Sequence, residues 1–193
     1  MFNNKRLLIV AGPTACGKST FLRSAIGAHP SPLTKKILKK AFKRSDFKTQ
    51  KLYFRRLQKL HEKQEGFKKF TRQYNNFILD VDTTGPSFKK NSLILPDFFA
   101  CFSQITSIQI YTPYEIWLNR LLQRKIEASL KESRVIQHIL HDSFSPKSCR
   151  RDRAKNTYYE FYDQWESLLS SHGLESYLRI DATEDKIIEN ISN

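Results

Sequence analysis

The 193-residue sequence predicts an α/β fold in three layers, a parallel β-sheet flanked by helices, carrying a helical insert and a lid-like segment. Three observations lead there. Short apolar runs of strand character alternate with longer runs of helical period, the order of β-α units whose strands lie parallel. A Gly-rich phrase, Gly12-Pro13-Thr14-Ala15-Cys16-Gly17-Lys18-Ser19, stands between the first strand-like run and the first helical one. Apolar residues make up 39% of the chain, enough for a substantial core in a single domain over residues 1–193.

Residues 6–11, Arg-Leu-Leu-Ile-Val-Ala, read as a buried strand, and residues 19–26 as a helix. Gly27, Pro30 and Pro32 then form a breaker cluster that closes this unit. Residues 30–75 are a basic insert, with fifteen Lys or Arg against three acids, so that +12 of the chain's net +14 lies in one quarter of its length. Within it Ile37, Phe42, Phe47, Leu52, Phe54, Leu57 and Leu60 recur at loose three-to-five spacing, which predicts two or three helices. The lysines suit either a solvated helix face or an anionic partner.

Residues 74–86 predict a strand that gains Asp80 and Asp82 as it ends. Alternation along a strand puts both acids on one face, with Ile78 below them. Ligands of open parallel sheets bind beyond the carboxyl ends of the strands. Two acids there, beside the Gly-rich loop, are placed to hold magnesium or its waters, or with Thr83, Thr84 and Gly85 they mark the exit into a turn. Residues 93–102 read as a connection or short helix, residues 105–111 as a strand, and Thr112-Pro113 as the start of a helix with Ile116, Trp117, Leu118, Leu121 and Leu122 on its buried side. Arg120 and Arg124, four apart, share a face of that helix, as phosphate contacts or as surface arginines.

Residues 131–156, with Pro146 and the run Arg150-Arg151-Asp152-Arg153, are the least regular stretch. They suit a lid whose guanidinium groups close over a triphosphate, or a solvated loop. Residues 156–171 predict a helix whose Tyr158, Tyr159, Phe161, Tyr162 and Trp165 read as core rather than as a base-stacking platform. A last strand over 177–181 and a closing helix over 183–191 complete the pattern.

Composition narrows the function classes. No apolar run reaches the roughly 18 to 20 residues of a membrane span, and the start of the chain lacks a signal-peptide apolar region, so a cytoplasmic protein is expected. Cys16, Cys101 and Cys149 form no C-x-x-C pair, which argues against a disulfide framework or a zinc knuckle.

The Gly-rich phrase, with Thr20 after it, fits the phosphate-cradling pattern G-x-x-x-x-G-K-[ST] at every fixed position. Its two glycines let successive N–H groups point inward around phosphate oxygens. Lys18 adds a charge between the β- and γ-phosphates, Ser19 offers a hydroxyl to magnesium, and the following helix aims its positive end at the anion. Residues Gly12, Pro13, Thr14, Ala15, Cys16, Gly17, Lys18, Ser19 and Thr20 are therefore the candidate site for ATP and Mg²⁺. Cys16, inside the nest, is expected to be shielded from thiol reagents by a bound nucleotide.

Together, Gly12 to Thr20, Phe77-Ile78-Leu79-Asp80-Val81-Asp82 with Gly85, Ile108-Gln109-Ile110-Tyr111-Thr112-Pro113 leading to Arg120 and Arg124, and Arg179-Ile180-Asp181-Ala182-Thr183 resemble the P-loop nucleoside and nucleotide kinases. The acidic strand followed by a glycine is similar to that of guanylate kinases, although the basic insert stands where they carry a strand-rich acceptor module. The resemblance implies a three-layer P-loop fold and an ATP-dependent phosphotransferase acting on a small anionic acceptor such as a nucleotide. It gives Lys18, Asp80, Asp82, Arg120, Arg124, Arg150 and Arg151 catalytic roles, and Ser19, Asp80 and Asp82 the metal. Two alternatives stand beside it. A polynucleotide-end or tRNA-modifying enzyme would grip nucleic acid through the insert, with Phe42, Phe47, Phe54, Phe67 and Phe70 stacking on bases. A non-catalytic switch or scaffold would bind nucleotide without turnover.

Overall fold

A computed structural model describes residues 4–27, 29–42, 49–72, 74–84, 88–127, 134–174, 177–181 and 186–190. The strands are β1 (Arg6–Gly12), β2 (Thr49–Tyr53), β3 (Asn76–Asp82), β4 (Gln104–Tyr111), β5 (Tyr177–Asp181) and β6 (Lys186–Asn190). The helices are α1 (Lys18–Ile26), α2 (Pro32–Phe42), α3 (Leu57–His61), α4 (Gly66–Thr71), α5 (Phe88–Ser92), α6 (Leu95–Phe99), α7 (Tyr114–Glu127), α8 (Arg134–Ser143) and α9 (Ser148–Ser171), with a 3-10 turn at Phe54–Arg56. They form an α/β architecture whose six-stranded sheet has the order β2-β3-β1-β4-β5-β6, parallel throughout except for β6.

β1 is central, between β3 and β4, and Leu7 to Ala11 are almost wholly buried on both faces. A parallel strand covered on both sides reads as a continuous apolar run for this reason. On one face Leu8, Val10, Ile78, Ile108 and Ile110 meet α1 and α2 through Phe21, Leu22, Ile37, Leu38 and Phe42. On the other, Leu7, Ile9, Leu79 and Val81 meet Leu57, Phe67, Phe98 and the Trp165 and Leu169 end of α9. A third cluster joins α7, α8 and α9 through Trp117, Leu121, Ile139, Tyr158 and Tyr162, and it includes Ala15 of the Gly-rich loop.

The basic insert departs from the helical expectation. α2 does form, because Ser31 caps it by accepting from the Thr34 N–H at 3.2 Å, while Pro32 fits the first helical position. The chain then returns as the edge strand β2 beside β3. With Leu52 its only fully buried residue and Lys51 on its edge, β2 has too little alternation to be seen as a strand in sequence. The insert thus wraps the sheet edge, placing α2 on one face and α3 and α4 with the other. Phe42, Phe54 and Phe67 are buried and Phe70 packs against the core, so these rings are not free to stack on bases. Phe47 lies outside the described residues.

Two further expectations change. The proposed closing helix is instead β6, pairing antiparallel with β5, where the adjacent β-branched Ile187 and Ile188 favour a strand; Ala182 and Thr183 lie outside the described residues. The described part of the lid-like segment, residues 134–156, is not irregular: α8 packs against α9, which begins at Ser148. No helix among the described residues is long and apolar enough to cross a membrane.

Leu79 is wholly buried in the sheet between two covered faces. Leu79→Ala is expected to lower the unfolding free energy by about 2–5 kcal/mol in urea titrations at unchanged m-value; a loss below about 1 kcal/mol would contradict this account of the core.

Candidate phosphate-binding site

The Gly-rich loop leaves β1 at Gly12, whose φ of +153° suits glycine. A Cβ there would come 2.7 Å from both Cys16 Sγ and Ile110 O, so no larger residue fits. Ala15 at φ +63° and Gly17 at +107° complete a chain reversal rich in left-handed backbone. For Ala15 that conformation is unfavourable, and packing in the α7–α9 cluster holds it in place.

The carbonyl groups of Gly12, Pro13, Thr14, Cys16 and Gly17 all accept hydrogen bonds from the protein. Gly12 O accepts from Thr83 N at 3.2 Å and from Lys18 Nζ at 2.7 Å, and Pro13 O from Lys18 Nζ at 2.7 Å. Trp117 Nε1 donates to Thr14 O at 2.7 Å. Thr112 Oγ1 donates to Cys16 O at 2.7 Å, joined by Arg120 Nη1 at 3.4 Å. Gly17 O accepts from the Thr20 and Phe21 N–H groups at 3.0 and 3.2 Å. By contrast, the N–H groups of Ala15, Gly17, Lys18 and Ser19 donate to no acceptor among the described residues. Four donors around one turn, at the start of α1, are the chemistry that binds an anion.

Register places the acids beside this loop. Gly12 pairs with Asp82 and Val10 with Asp80. Asp82 Oδ1 accepts from Thr84 N at 3.1 Å and Thr84 Oγ1 at 2.7 Å, and Thr84 Oγ1 lies 3.4 Å from Thr14 N, which links the end of β3 to the loop. Asp80 pairs with Lys51 of β2 at 3.4 Å. Thr83 Oγ1, next in sequence after Asp82, is buried without a hydrogen-bond partner among the described residues. Gly85 lies outside those residues.

The structure therefore brings together Gly12 to Ser19, Asp80, Asp82 and Arg120. Ser19 and Thr20 are exposed on the first turn of α1. Arg124 is exposed one turn further along α7. Arg150 and Arg151 lie on the first turn of α9, where Arg151 Nη1 donates to Ser145 O at 2.9 Å and Pro146 O at 3.2 Å and so fastens the α8–α9 turn. Sequence reasoning missed Thr112, Trp117, Thr84 and Lys51 as partners of the site. For Trp117 a signal existed, since a buried indole N–H needs an acceptor. For the others there was none, because each acts across strands.

No group of three or more His, Cys, Asp or Glu side chains able to hold a metal occurs among the described residues. Magnesium fits such a place only when phosphate oxygens and waters supply most of its ligands, with one or two carboxylates and the Ser19 hydroxyl. A separate cavity of ≈ 520 Å³, lined among others by Gln50, Lys63, Lys69 and Tyr74, opens at the opposite end of the strands and has no carboxylate in its wall. No family model matches the chain, and no curated protein matches it.

Cys16 belongs to the core. Its side chain is wholly buried with Leu8, Val10, Phe21 and Ile110, and burial raises its thiol pKa more than the Lys18 charge lowers it. The expectation of nucleotide-dependent shielding is replaced by one of general inertness. Thiol titration of the native protein should modify exposed Cys149 rapidly and leave Cys16 unreacted until denaturant is added, with or without ATP; fast native labelling of Cys16 would refute the packing. Buried Tyr158 and Tyr162 also have raised pKa values, by desolvation first. A group with its folded pKa above the unfolded value contributes stability below the unfolded value, which is lost as pH rises. Unfolding free energy should therefore fall above about pH 8.5 as the unfolded thiol ionises, and more steeply above about pH 10 as the tyrosines follow.

Trp117 is wholly buried, with its ring centroid 4.4 Å from that of Tyr158. Trp117→Phe keeps an aromatic ring but leaves Thr14 O without its donor, and should cost at least about 1 kcal/mol of stability. An unchanged melting curve would show that α7 does not hold the loop.

Proposed function

We propose that the chain is an ATP-dependent phosphotransferase of the P-loop kind, moving the γ-phosphoryl group to a small anionic acceptor. One observation carries this reading: the carbonyls of Gly12, Pro13, Thr14 and Cys16 are engaged by Thr83, Lys18, Trp117, Thr112 and Arg120, while the N–H groups of Ala15, Gly17, Lys18 and Ser19 have no protein acceptor among the described residues. A cation would leave those donors unmatched, and a neutral ligand would supply no counter-charge to Lys18. A polyphosphate matches them and the charge of Lys18.

In the reaction an acceptor oxygen forms a bond to the γ-phosphorus as the bond to the β-γ bridging oxygen breaks, and ADP leaves with that electron pair. Positioning and charge supply most of the rate in such a transfer. The loop amides orient the β-phosphate. Lys18 moves its ammonium group from Gly12 O and Pro13 O to the β- and γ-phosphate oxygens. Arg120, already at the loop through Cys16 O and Thr112 Oγ1, lies within reach of charge developing on the phosphoryl group. Ser19 with Asp82 or Asp80 would hold Mg²⁺, which when bound neutralises phosphate charge. Because Asp80 is already paired with Lys51, Asp82 is the freer of the two for a metal or its waters. Arg124 takes a catalytic role only through the resemblance noted above, and Arg150 and Arg151 through that resemblance and the lid reading of residues 131–156.

The polynucleotide reading rests on the charge of the insert alone. Its proposed stacking rings Phe42, Phe54 and Phe67 are in the core.

The test is ATP consumption with magnesium across nucleosides, nucleoside monophosphates, sugars and short 5′-hydroxyl oligonucleotides at low and high salt. Stimulation by a small acceptor supports the proposal; stimulation only by an oligonucleotide, lost at high salt, replaces it with the polynucleotide enzyme. Lys18→Ala should lower kcat by at least about 100-fold while retaining the native far-UV spectrum, and full turnover in that variant would sink the assignment.

A further inference from the structure

Three cations of the insert surround one exposed aromatic ring at the carboxyl end of the sheet. Lys51 Nζ lies 4.5 Å from the centroid of Tyr53, and the guanidinium carbons of Arg55 and Arg56 lie 5.5 and 5.8 Å from it. Tyr53 is paired in register with Asp80, so this ring stands on the β2 side of the same strand ends that carry the Gly-rich loop. Tyr53 is 38% exposed, and both arginines are exposed.

The charges do not cancel. Lys51 is matched by Asp80 at 3.4 Å. Arg55 and Arg56 form no ion pair with any described residue, so two guanidinium groups without a counter-charge lie within 6 Å of one phenol ring, at 5.5 and 5.8 Å from its centroid. Cation–π attraction offsets part of their mutual repulsion. It supplies no counter-charge. An anion carrying about two negative charges, and presenting oxygens to two forks, completes the balance, and a phosphomonoester at neutral pH has that charge and shape.

We infer that Lys51, Tyr53, Arg55 and Arg56 form the acceptor subsite, which holds a phosphomonoester group of the phosphoryl acceptor. This rests on the phosphotransferase reading for the word acceptor, and on the cation cluster alone for the ligand. β2 is separated from β1 only by β3, so the two binding places lie about 10 Å apart across the sheet, within the span of a small phosphorylated acceptor and the extended arginine side chains. Lys51 positions Asp80 by its ion pair, and the two arginines bind the anion. The subsite selects for the phosphate and leaves the remainder of the acceptor to be recognised elsewhere.

Binding and turnover separate the two ideas. Calorimetry without ATP would compare AMP, GMP, CMP, UMP, ribose 5-phosphate and glucose 6-phosphate with their unphosphorylated counterparts, for the wild-type protein and the Arg55→Gln/Arg56→Gln double variant. At least one phosphomonoester should bind at least tenfold more tightly than its counterpart, and the double variant should lose at least tenfold of that affinity. Arg55→Lys/Arg56→Lys, which keeps the charge without the forks, should retain an intermediate affinity. Binding of a non-hydrolysable ATP analogue should change less than twofold in all of them. The inference is overturned if no phosphomonoester binds the wild-type protein, if only a 5′-phosphorylated oligonucleotide does, if the double variant binds as the wild type does, or if ATP-analogue affinity falls in parallel. Failure of ATP turnover with all acceptors, beside intact arginine-dependent phosphomonoester binding, would instead remove the phosphotransferase reading and leave the subsite standing.

Discussion

The direction of the carbonyl groups in the Gly-rich loop is the constraint on which the rest of the site depends. A peptide unit carries its N–H and C=O on opposite sides, so fixing one fixes the other. Here the fixing groups come from far along the chain. The Thr112 hydroxyl and Trp117 indole lie 96 and 103 residues from their acceptors, Cys16 O and Thr14 O. Thr112 is itself held, because the Tyr158 hydroxyl donates to its carbonyl and also meets Tyr162 OH at 2.8 Å. Gln109 continues the chain of contacts, donating to Tyr162 O at 3.2 Å and accepting from Arg179 Nε at 3.0 Å. The aromatic face of α9 is thus both core and scaffold for the turn.

This dependence explains the burial of polar groups that would otherwise weaken the fold. Thr112, Gln109 and Tyr158 are all inside, yet each has a partner, and a satisfied buried network specifies one arrangement where an apolar core tolerates several. Ala15 shows the effect at a single residue. Its left-handed backbone would relax in a free peptide, and the packing of Tyr114, Trp117 and Tyr158 around it keeps the loop in the form that presents amides.

Legibility in the sequence followed the range of the interactions involved. β1 and the loop were readable because strand burial and left-handed glycines leave marks within a few residues. The pairing of Asp80 and Asp82 on one face was readable because it needs only the two-residue period of a strand. β2 and β6 were not, since an edge strand buries one side weakly and takes its identity from the neighbour it pairs with. The packing of α8 was hidden by the polar and breaker residues around it, although Ile136, Ile139 and Leu140 fall on one face. For the site, the loop was visible and its tethers were not: nothing near Thr112 or Trp117 states that their acceptors lie in residues 14–16.

On the phosphotransferase reading proposed above, Lys18 is the part of this arrangement that has to move. Only 8% exposed, its ammonium group is satisfied by two carbonyls of its own loop, each a charge–dipole contact of about 1.5–3 kcal/mol. On that reading, moving it to phosphate oxygens exchanges those contacts for charge–charge ones, a favourable exchange only if the carbonyls it leaves keep another donor. Gly12 O does, through Thr83 N, and Pro13 O has the Cys16 N–H at 3.4 Å. Both carbonyls would therefore keep a donor if Lys18 moved, so the amide cradle and the cation that serves it would share seven residues of chain, Gly12 to Lys18. The contacts that would remain come from Thr83 just after β3, Thr112 just after β4, and Trp117 and Arg120 of α7: on that reading the group that moves is not the one that must hold the frame.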